Sequence, residues 1–324
     1  MVSSANEIRT PMSRALVPVV DLAGTDRGIA TELDDAYREV GFCSIVNHGV
    51  PQDLVDDAFA ASRSFHALDA VDKERIAIGP SHRGYIGLAT STIVTSSIEK
   101  GAAPNQSESL IFGRPMDADD PDILAGLPLS GVNQWPESLP EIRSPVLAYQ
   151  AAMEDLCVSI RGHVARALGA SSDVFEAAFS PPTTYLRLLR YPMRRPEAPE
   201  WEYGSSPHTD YGFVTILAVD DVPGLEVLGP DGRWILAVPP PGGLVMNAGD
   251  LLHRWSNGLW RSTPHRVYND PDQVRYSIPF FYEPHVTADV EPLPHLGEPR
   301  FEPVNYGEYA MHRFRSNYSQ HRSS

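Results

Sequence analysis

The chain has 324 residues, of which 42% are hydrophobic, and it carries a formal net charge of −16. Its hydrophobic content is sufficient for a large core, and its acidity argues against a nucleic-acid partner, since phosphate binding needs clustered cations. The two cysteines show neither a disulfide framework nor zinc-site spacing, and we find neither a signal-peptide pattern nor an apolar run of about 18 residues. We therefore expect a monomeric cytoplasmic enzyme that does not bind membranes and acts on a small molecule.

The first half of the chain combines short strands with amphipathic helices. In chain order, the pattern predicts a strand over residues 17–22, a helix over 25–40, a strand over 41–46, a helix that starts at Pro51 and a long helix over 145–168. Asp26 is the predicted cap of the first helix. The apolar stripe of the long helix indicates core packing.

After Tyr185 the apolar period changes to two residues, which is typical of strands. The predicted strands cover residues 185–191, 212–219, 224–228, 234–238, 243–246, 264–268 and 275–282. Pro230-Asp-Gly232 predicts a hairpin turn. Many strands that close two sheets over a pocket favour a mainly β fold, with a double-stranded β-helix (jelly-roll) core and flanking helices. Since no Gly/Ser linker divides the chain, we expect one domain over residues 1–324.

Three residues carry a pattern that points to a metal. In an extended strand, residues i and i+2 share a face, so His208 and Asp210 can offer ligands to one ion. His265 follows in a predicted strand that returns across the fold. Two imidazoles and one carboxylate leave open coordination positions, which is the usual site of non-haem Fe(II) oxygenases. His253 lacks a carboxylate in register and is interpreted as structural.

Arg275 and Ser277 repeat the same two-residue spacing near the end of the β-rich part. Their guanidinium fork and hydroxyl are expected to lie side by side, an arrangement that suits a bound carboxylate. The metal pattern and this pair occur in order on strand-like segments. Together they predict an iron site with an anchor for an acidic cosubstrate.

The ordered motifs resemble those of Fe(II)/2-oxoglutarate-dependent dioxygenases of the isopenicillin N synthase-like group, in its bacterial natural-product-tailoring type. The resemblance covers nearly the whole chain and is carried by Asn47-His-Gly-Val-Pro51, Arg83-Gly-Tyr85, Ser107-Glu-Ser-Leu-Ile-Phe-Gly113, His208-Thr-Asp210-Tyr-Gly212, Asn247-Ala-Gly-Asp250, Ser262-Thr-Pro-His-Arg-Val267 and Arg275-Tyr-Ser-Ile-Pro-Phe-Phe281. It implies an N-terminal region of helices and strands over residues 14–115. It also implies a jelly-roll core over residues 180–285 that binds metal and 2-oxoglutarate.

The same resemblance implies the roles of individual residues. Fe(II) would be held by His208, Asp210 and His265, and the distal carboxylate of 2-oxoglutarate by Arg275 and Ser277, with O2 as the second cosubstrate. Tyr191 keeps the tyrosine that often touches this carboxylate, whereas Leu189 replaces a common asparagine and Ser107 replaces a common basic residue. The candidate substrate-pocket residues are Tyr85, Arg187, Phe213, Leu225, Trp255 and Phe281. Core packing is an equal expectation for Phe213 and Leu225.

The reaction this implies is hydroxylation, or else desaturation or ring closure, of a small substrate in natural-product biosynthesis, with release of succinate and CO2. Three alternatives stay open at this point. An iron oxidase of the same fold would not use 2-oxoglutarate. A non-catalytic metal-binding β-sandwich would close its metal shell with a fourth ligand, and none is visible. A zinc hydrolase could use the same three ligands.

Overall fold

Helices and short strands alternate in the first half of the chain, and strands dominate the second half. The structure is a computed structural model that describes residues 17–93, 98 and 103–317. The strands are β1 Val19–Asp21, β2 Phe42–Val46, β3 Gly84–Ile86, β4 Glu108–Gly113, β5 Thr183–Tyr191, β6 Ser205–His208, β7 Val214–Val219, β8 Leu225–Leu228, β9 Trp234–Leu236, β10 Leu244–Ala248, β11 His265–Val267, β12 Arg275–Glu283, β13 Asp289–Val290 and β14 Val304–Asn305. The helices are α1 Asp26–Glu39, α2 Gln52–His66, α3 Ala70–Glu74, α4 Pro121–Leu124, α5 Arg143–Ala167, α6 Asp250–Trp255 and α7 Tyr306–Asn317.

Two main sheets organise the described part of the chain. An eight-stranded sheet has the order β1-β2-β10-β7-β12-β5-β4-β3, and a four-stranded sheet has the order β6-β11-β8-β9. All neighbouring strands in them are antiparallel except β1 and β2, which are parallel. The prediction of a mainly β fold with flanking helices is therefore confirmed.

The long helix α5 covers the eight-stranded sheet together with α2. Its buried residues recur at helical spacing, and α5 contacts α1, α2 and β12. Each of these helices hides an apolar stripe that could not face water alone, so they cover one face of the sheet. The predicted core stripe of α5 is confirmed.

Alternate residues of β12 face opposite sides of the large sheet. Ile278, Phe280 and Tyr282 belong to the main core, whereas Ser277 and Phe281 line cavities on the opposite side. This separation follows from the two-residue period of a strand. The strand thus joins the helix-backed core to the open interior of the fold.

Several local predictions are confirmed and others are wrong. The hairpin turn at Pro230-Asp-Gly232 joins β8 and β9, and Gly232 takes the positive φ of 79° that glycine tolerates. The cap of α1 is Thr25, not Asp26, because the Thr25 hydroxyl accepts the Gly28 N–H at 3.2 Å. Sequence reasoning missed the strands β3, β4, β13 and β14 and the helices α3, α4, α6 and α7. None of the helices among the described residues has the length and apolar character needed to cross a membrane.

Candidate active site

His208 and His265 occupy directly opposed positions on the neighbouring strands β6 and β11. Their ring centroids lie 4.2 Å apart. Residues directly opposite each other in an antiparallel pair have closely spaced side chains, so the register of these two strands brings the distant histidines together. The predicted return of His265 to the first ligands is confirmed.

Asp210 completes the cluster from the loop that follows β6. Its Oδ1 lies 3.9 Å from Nε2 of His208 and 3.7 Å from Nε2 of His265. All three ligand atoms lie within 4.8 Å of one another, and the described residues contain no other group of three histidine, cysteine or carboxylate side chains so arranged. The premise that one strand carries both His208 and Asp210 is wrong, because β6 ends at His208. The loop delivers the carboxylate instead.

Hydrogen bonds orient each of the three side chains. Oδ2 of Asp210 accepts the Thr215 hydroxyl at 2.7 Å and the Asn247 amide at 2.8 Å, which leaves Oδ1 directed at the histidines. Nδ1 of His208 lies 2.8 Å from the carbonyl oxygen of Ser206, and Nδ1 of His265 lies 3.2 Å from that of Thr263. A carbonyl at that distance selects the tautomer with a proton on Nδ1 and a lone pair on Nε2. The cluster therefore presents two nitrogens and one oxygen to a single point.

Electrostatics favour the protonation states that a metal requires. Burial, with the neighbouring imidazole of His265, lowers the pKa of His208 to about 4. Burial opposes the ionisation of Asp210, yet the two imidazoles and the hydrogen bonds from Thr215 and Asn247 together lower the pKa of its carboxyl. At neutral pH the site thus offers a neutral imidazole of His208 and a carboxylate, and ligands must be deprotonated to bind metal.

A cavity of about 80 Å³ lies beside this cluster and is lined by Arg275, Ser277 and Tyr191. Arg275 is 1% exposed, and its Nε donates to the carbonyl of Val222 at 3.1 Å. Its Nη1 is buried without a hydrogen-bond partner among the described residues. A buried guanidinium N–H without an acceptor is costly, and a carboxylate would satisfy it. The cavity therefore fits an acidic cosubstrate.

A second cavity, of about 100 Å³, lies on another side of His208 and Asp210. Aromatic and aliphatic side chains form much of its wall, and α7 contributes Phe314 to it. Arg187 and Phe281 line both cavities. Nε of Arg187 donates to the Ser109 hydroxyl at 2.8 Å, and no carboxylate of the described residues lies within 4.0 Å of its nitrogens.

The predicted pocket residues divide into two groups. Arg187, Leu225 and Phe281 line the cavities next to the cluster. The prediction is wrong for Phe213 and Trp255, which pack against each other with ring centroids 5.6 Å apart in the aromatic core.

The prediction is also wrong for Tyr85. Its hydroxyl donates to the buried carboxylate of Glu108 at 2.6 Å, and the residue lines neither cavity. Glu108 also forms ion pairs with Lys73 at 3.0 Å and Arg190 at 2.7 Å. Tyr85 thus belongs to a buried charged cluster that joins α3 to strands β3, β4 and β5.

The structure also identifies site residues that sequence reasoning missed. Asn247 and Thr215 hold the carboxylate of Asp210, and Glu283 and Tyr185 line the second cavity. Their strands were predicted, and the i, i+2 series that starts at Arg275 and Ser277 leads to Glu283. This two-residue spacing was the sequence signal that could have identified Glu283 as a cavity residue. His253 lies outside the metal cluster and contacts the Trp260 carbonyl, as its structural interpretation expected.

Comparison with known proteins agrees with this geometry. Residues 17–138 match the family described as "non-haem dioxygenase in morphine synthesis N-terminal", and residues 183–284 match the "2OG-Fe(II) oxygenase superfamily". A homoarginine-6-hydroxylase of Oryza sativa subsp. japonica is 35% identical over 295 residues, which cover 88% of each chain. The chain belongs to the 2-oxoglutarate- and Fe(II)-dependent oxygenase superfamily. As a member it is a dioxygenase that uses Fe(II), 2-oxoglutarate and O2.

Further relatives of the oxygenase share its fold and length. The 2-oxoglutarate-Fe(II) type oxidoreductase hxnY of Emericella nidulans is 30% identical, with 95% of this chain and 92% of that protein covered. A full-length Neurospora crassa protein, solved in complex with 2-oxoglutarate and thymine, superposes with a TM-score of 0.80 at 26% identity, covering 93% of this chain and 96% of that one. A 2OG-Fe(II) oxygenase family protein from Caulobacter crescentus gives the same TM-score at 27% identity, covering 94% and 99%. The jelly-roll class of the core is confirmed.

Proposed function

We propose that His208, Asp210 and His265 hold the iron of this oxygenase, and that Arg275 and Ser277 bind the distal carboxylate of 2-oxoglutarate. Tyr191 lines the same cavity, with its ring 5.0 Å from the guanidinium carbon of Arg275. The observation that carries the proposal is the pairing of the three converging ligands with a buried guanidinium that lacks an acceptor on Nη1. Two imidazoles and a carboxylate leave coordination positions for cosubstrates.

The bound iron supplies the oxidation, in which 2-oxoglutarate and O2 yield succinate and CO2 while the second oxygen atom enters a C–H bond of the substrate. The chain supplies orientation and exclusion of water. Asn247 and Thr215 fix the carboxylate of Asp210, and Arg275 aligns the cosubstrate from the far end of its cavity. Phe281 lies in the wall of both cavities. Such fixed groups reduce the reorganisation that the reaction needs.

The substrate is proposed to be a small organic molecule bound in the second cavity, with Arg187 and Phe281 in its wall. Leu225 lines the neighbouring cosubstrate cavity. Relatives named as homoarginine hydroxylases and a structure that contains thymine support a small, polar, nitrogen-containing substrate. We place the enzyme in natural-product tailoring within the isopenicillin N synthase-like group, as the motifs suggest. Hydroxylation is the proposed outcome, with desaturation or ring closure as the alternative.

The proposal extends to the organisation of the protein. We propose one oxygenase domain over residues 1–324, with an N-terminal region over 14–115 and a metal- and cosubstrate-binding core over 180–285. Residues 1–16, 94–97, 99–102 and 318–324 of this range lie outside the described residues. A monomer in the cytoplasm that binds neither nucleic acid nor membranes agrees with the net charge of −16.

Succinate formation tests the proposal directly. Iron-loaded protein should convert 2-oxoglutarate to succinate only in the presence of O2, and His265→Ala should abolish the conversion while circular dichroism stays unchanged. His312, which is exposed on α7, provides the control substitution His312→Ala. Substrate oxidation without succinate would indicate an iron oxidase, and turnover without O2 would indicate a hydrolase. A protein that binds metal but forms no succinate and oxidises no substrate would be a non-catalytic metal-binding protein.

A further inference from the structure

Glu283 is the last residue of β12, and its side chain lies buried in the wall of the second cavity. Its Oε2 accepts the backbone N–H of Phe213 at 2.6 Å. The carboxyl occupies the space beside Gly212, where an added Cβ would overlap Oε2. The glycine of the metal-binding motif therefore admits this carboxyl, and no larger residue could take its place without displacing it.

No basic group of the described residues neutralises Glu283. The Phe213 N–H is its one hydrogen-bond partner in that part of the chain, and no nitrogen of lysine, arginine or histidine lies within 4.0 Å of it there. Burial, with the charges of Asp210 and Asp250, raises the pKa of this carboxyl well above its usual range. Only Oε2 of this carboxyl has a hydrogen-bond partner among the described residues, so Oε1 is available to accept a donor from a ligand in the cavity.

Tyr185 adds a second unfilled polar group to the same wall. It is 5% exposed, and its hydroxyl is buried without a hydrogen-bond partner among the described residues. Tyr185 pairs with Phe281 across β5 and β12, and Glu283 follows two residues later on the same face. The phenol and the carboxyl therefore lie on one face of the sheet in the wall of a cavity that also contains apolar side chains such as Phe281 and Phe314.

Arg187 provides the opposite charge farther along the same strands. Glu283 pairs with Thr183, which is four residues from Arg187 on β5. Four residues of a strand span about 13 Å, so the two Cα atoms are separated by about that distance along the sheet. Both side chains line the same cavity. The cavity thus has a cationic residue and an acidic residue in its wall, and Phe281 lies between them in the strand register.

We propose that Glu283 and Tyr185 bind a cationic nitrogen of the primary substrate while Arg187 binds its carboxylate. The substrate is then a small amino-acid-like zwitterion with an amine or guanidine group. This inference rests on the proposed function of the same site. A cationic N–H donor supplies hydrogen bonds to the carboxyl and the phenol together, and its charge stabilises the ionised form of the glutamate.

Binding of matched probes tests the inference. Protein loaded with Mn(II) and 2-oxoglutarate is titrated calorimetrically with L-lysine and L-arginine, whose side chains are cationic, and with L-norleucine and L-citrulline, whose side chains are uncharged. We expect each cationic probe to bind at least ten-fold more tightly than its counterpart. Glu283→Gln should erase that preference, because glutamine can still accept the Phe213 N–H and differs little in volume. Glu154→Gln is the control, since burial also raises the pKa of Glu154 but that residue lines neither cavity.

Equal binding of the probes with cationic and uncharged side chains would overturn the inference, as would failure of both cationic probes to bind or an unchanged preference in Glu283→Gln. Tighter binding of L-citrulline than of L-arginine would also overturn it, because the protonated carboxyl would then donate to the ureido carbonyl. A separate titration of 2-oxoglutarate into protein loaded with Mn(II) alone distinguishes failure of the substrate class from failure of the proposed function. Normal 2-oxoglutarate binding with no cation preference rejects only the substrate class, whereas loss of 2-oxoglutarate binding in the wild type rejects the proposed function.

Discussion

The side-chain amide of Asn247 donates to Oδ2 of Asp210 over 2.8 Å, so a residue of the large sheet holds a carboxylate whose partner histidines belong to the small sheet. Asn247 lies on β10 and is 4% exposed. The metal cluster is therefore assembled from both sheets. Its geometry depends on how the two sheets are packed.

Replacement of Asn247 should weaken metal binding without unfolding the protein. Hydrogen-bonding partners of metal ligands typically contribute about 10- to 100-fold in affinity or activity. We expect Asn247→Ala to reduce Mn(II) affinity within that range, measured by equilibrium dialysis. Asn257→Ala, which alters a buried asparagine outside the cluster, is the control. Unchanged metal affinity in Asn247→Ala would show that Thr215 alone orients Asp210.

Replacement of Arg275 should affect the cosubstrate and leave the metal in place. Loss of one partner from a buried charged pair costs about 2 to 5 kcal/mol, which corresponds to about 30-fold to several thousand-fold in affinity. Arg275→Leu should raise the 2-oxoglutarate concentration needed for half-maximal succinate release accordingly. Arg233→Leu, in the exposed hairpin, should have no effect. A normal 2-oxoglutarate requirement in Arg275→Leu would move the anchor elsewhere.

Gly212 and Glu283 should be energetically coupled. A Cβ at position 212 would overlap the Glu283 carboxyl, and overpacking of a filled site costs about 1 to 3 kcal/mol. Gly212→Ala should therefore lower the free energy of unfolding, measured in urea, by about that amount. The same substitution should cost much less in a Glu283→Ala background, because the space is then free. Additive effects would show that the carboxyl is not what requires the glycine.

The stability of the protein should fall as the pH falls from 6.5 towards 4. Burial lowers the pKa of His66 from 6.5 to about 4, against the attraction of Glu108. Between pH 6.5 and 4, His66 is therefore protonated in the unfolded chain but stays neutral in the folded protein. The free energy of unfolding decreases as the pH falls across that interval. At 1.36 kcal/mol per unit, the loss is about 3 kcal/mol. Urea unfolding as a function of pH measures it, and the slope should be smaller in His66→Phe than in the control His312→Gln.

The product formed under 18O2 should contain one labelled oxygen atom. As the proposed third ligand, Asp210 would occupy a coordination position and add negative charge, which disfavours chloride or another anion at the metal. Hydroxylation is therefore expected, and mass spectrometry of the product measures it. Loss of two hydrogens without the label would identify desaturation or ring closure. A chlorinated product would contradict the role assigned to Asp210.

The metal cluster could be predicted from sequence because chemistry restricts its residue types and spacing. The backbone conformation that delivers each ligand could not be predicted. The segment Ser205–His208 has no alternating apolar pattern, because its residues are two serines, a proline and a histidine. Its composition also gives no sign that the strand ends before Asp210. The proximity of His208 and His265 was predictable only as a requirement of the chemistry. Their register is set by long-range pairing.

The missed strand β4 and the two misassigned aromatic residues each have a physical explanation. All six residues of β4 are buried, so the strand lacks the polar alternation that identifies a half-exposed strand. Phe213 and Trp255 were assigned to the pocket because aromatic residues near a metal motif suit either a wall or a core. Only the packing of the aromatic core, where Phe213 contacts Phe179 at 4.9 Å between ring centroids, distinguishes these possibilities.

The terminal helix α7 contributes Tyr306, Ala310 and Phe314 to the second cavity, and an ion pair of 2.8 Å between Arg313 and Asp250 attaches it to α6. The proposed metal ligands and the proposed 2-oxoglutarate anchor all precede this helix in the chain. Substitutions in α7 can therefore reshape the substrate cavity while the oxidising machinery stays intact. Selection for new substrates can act on one short helix at little risk to catalysis.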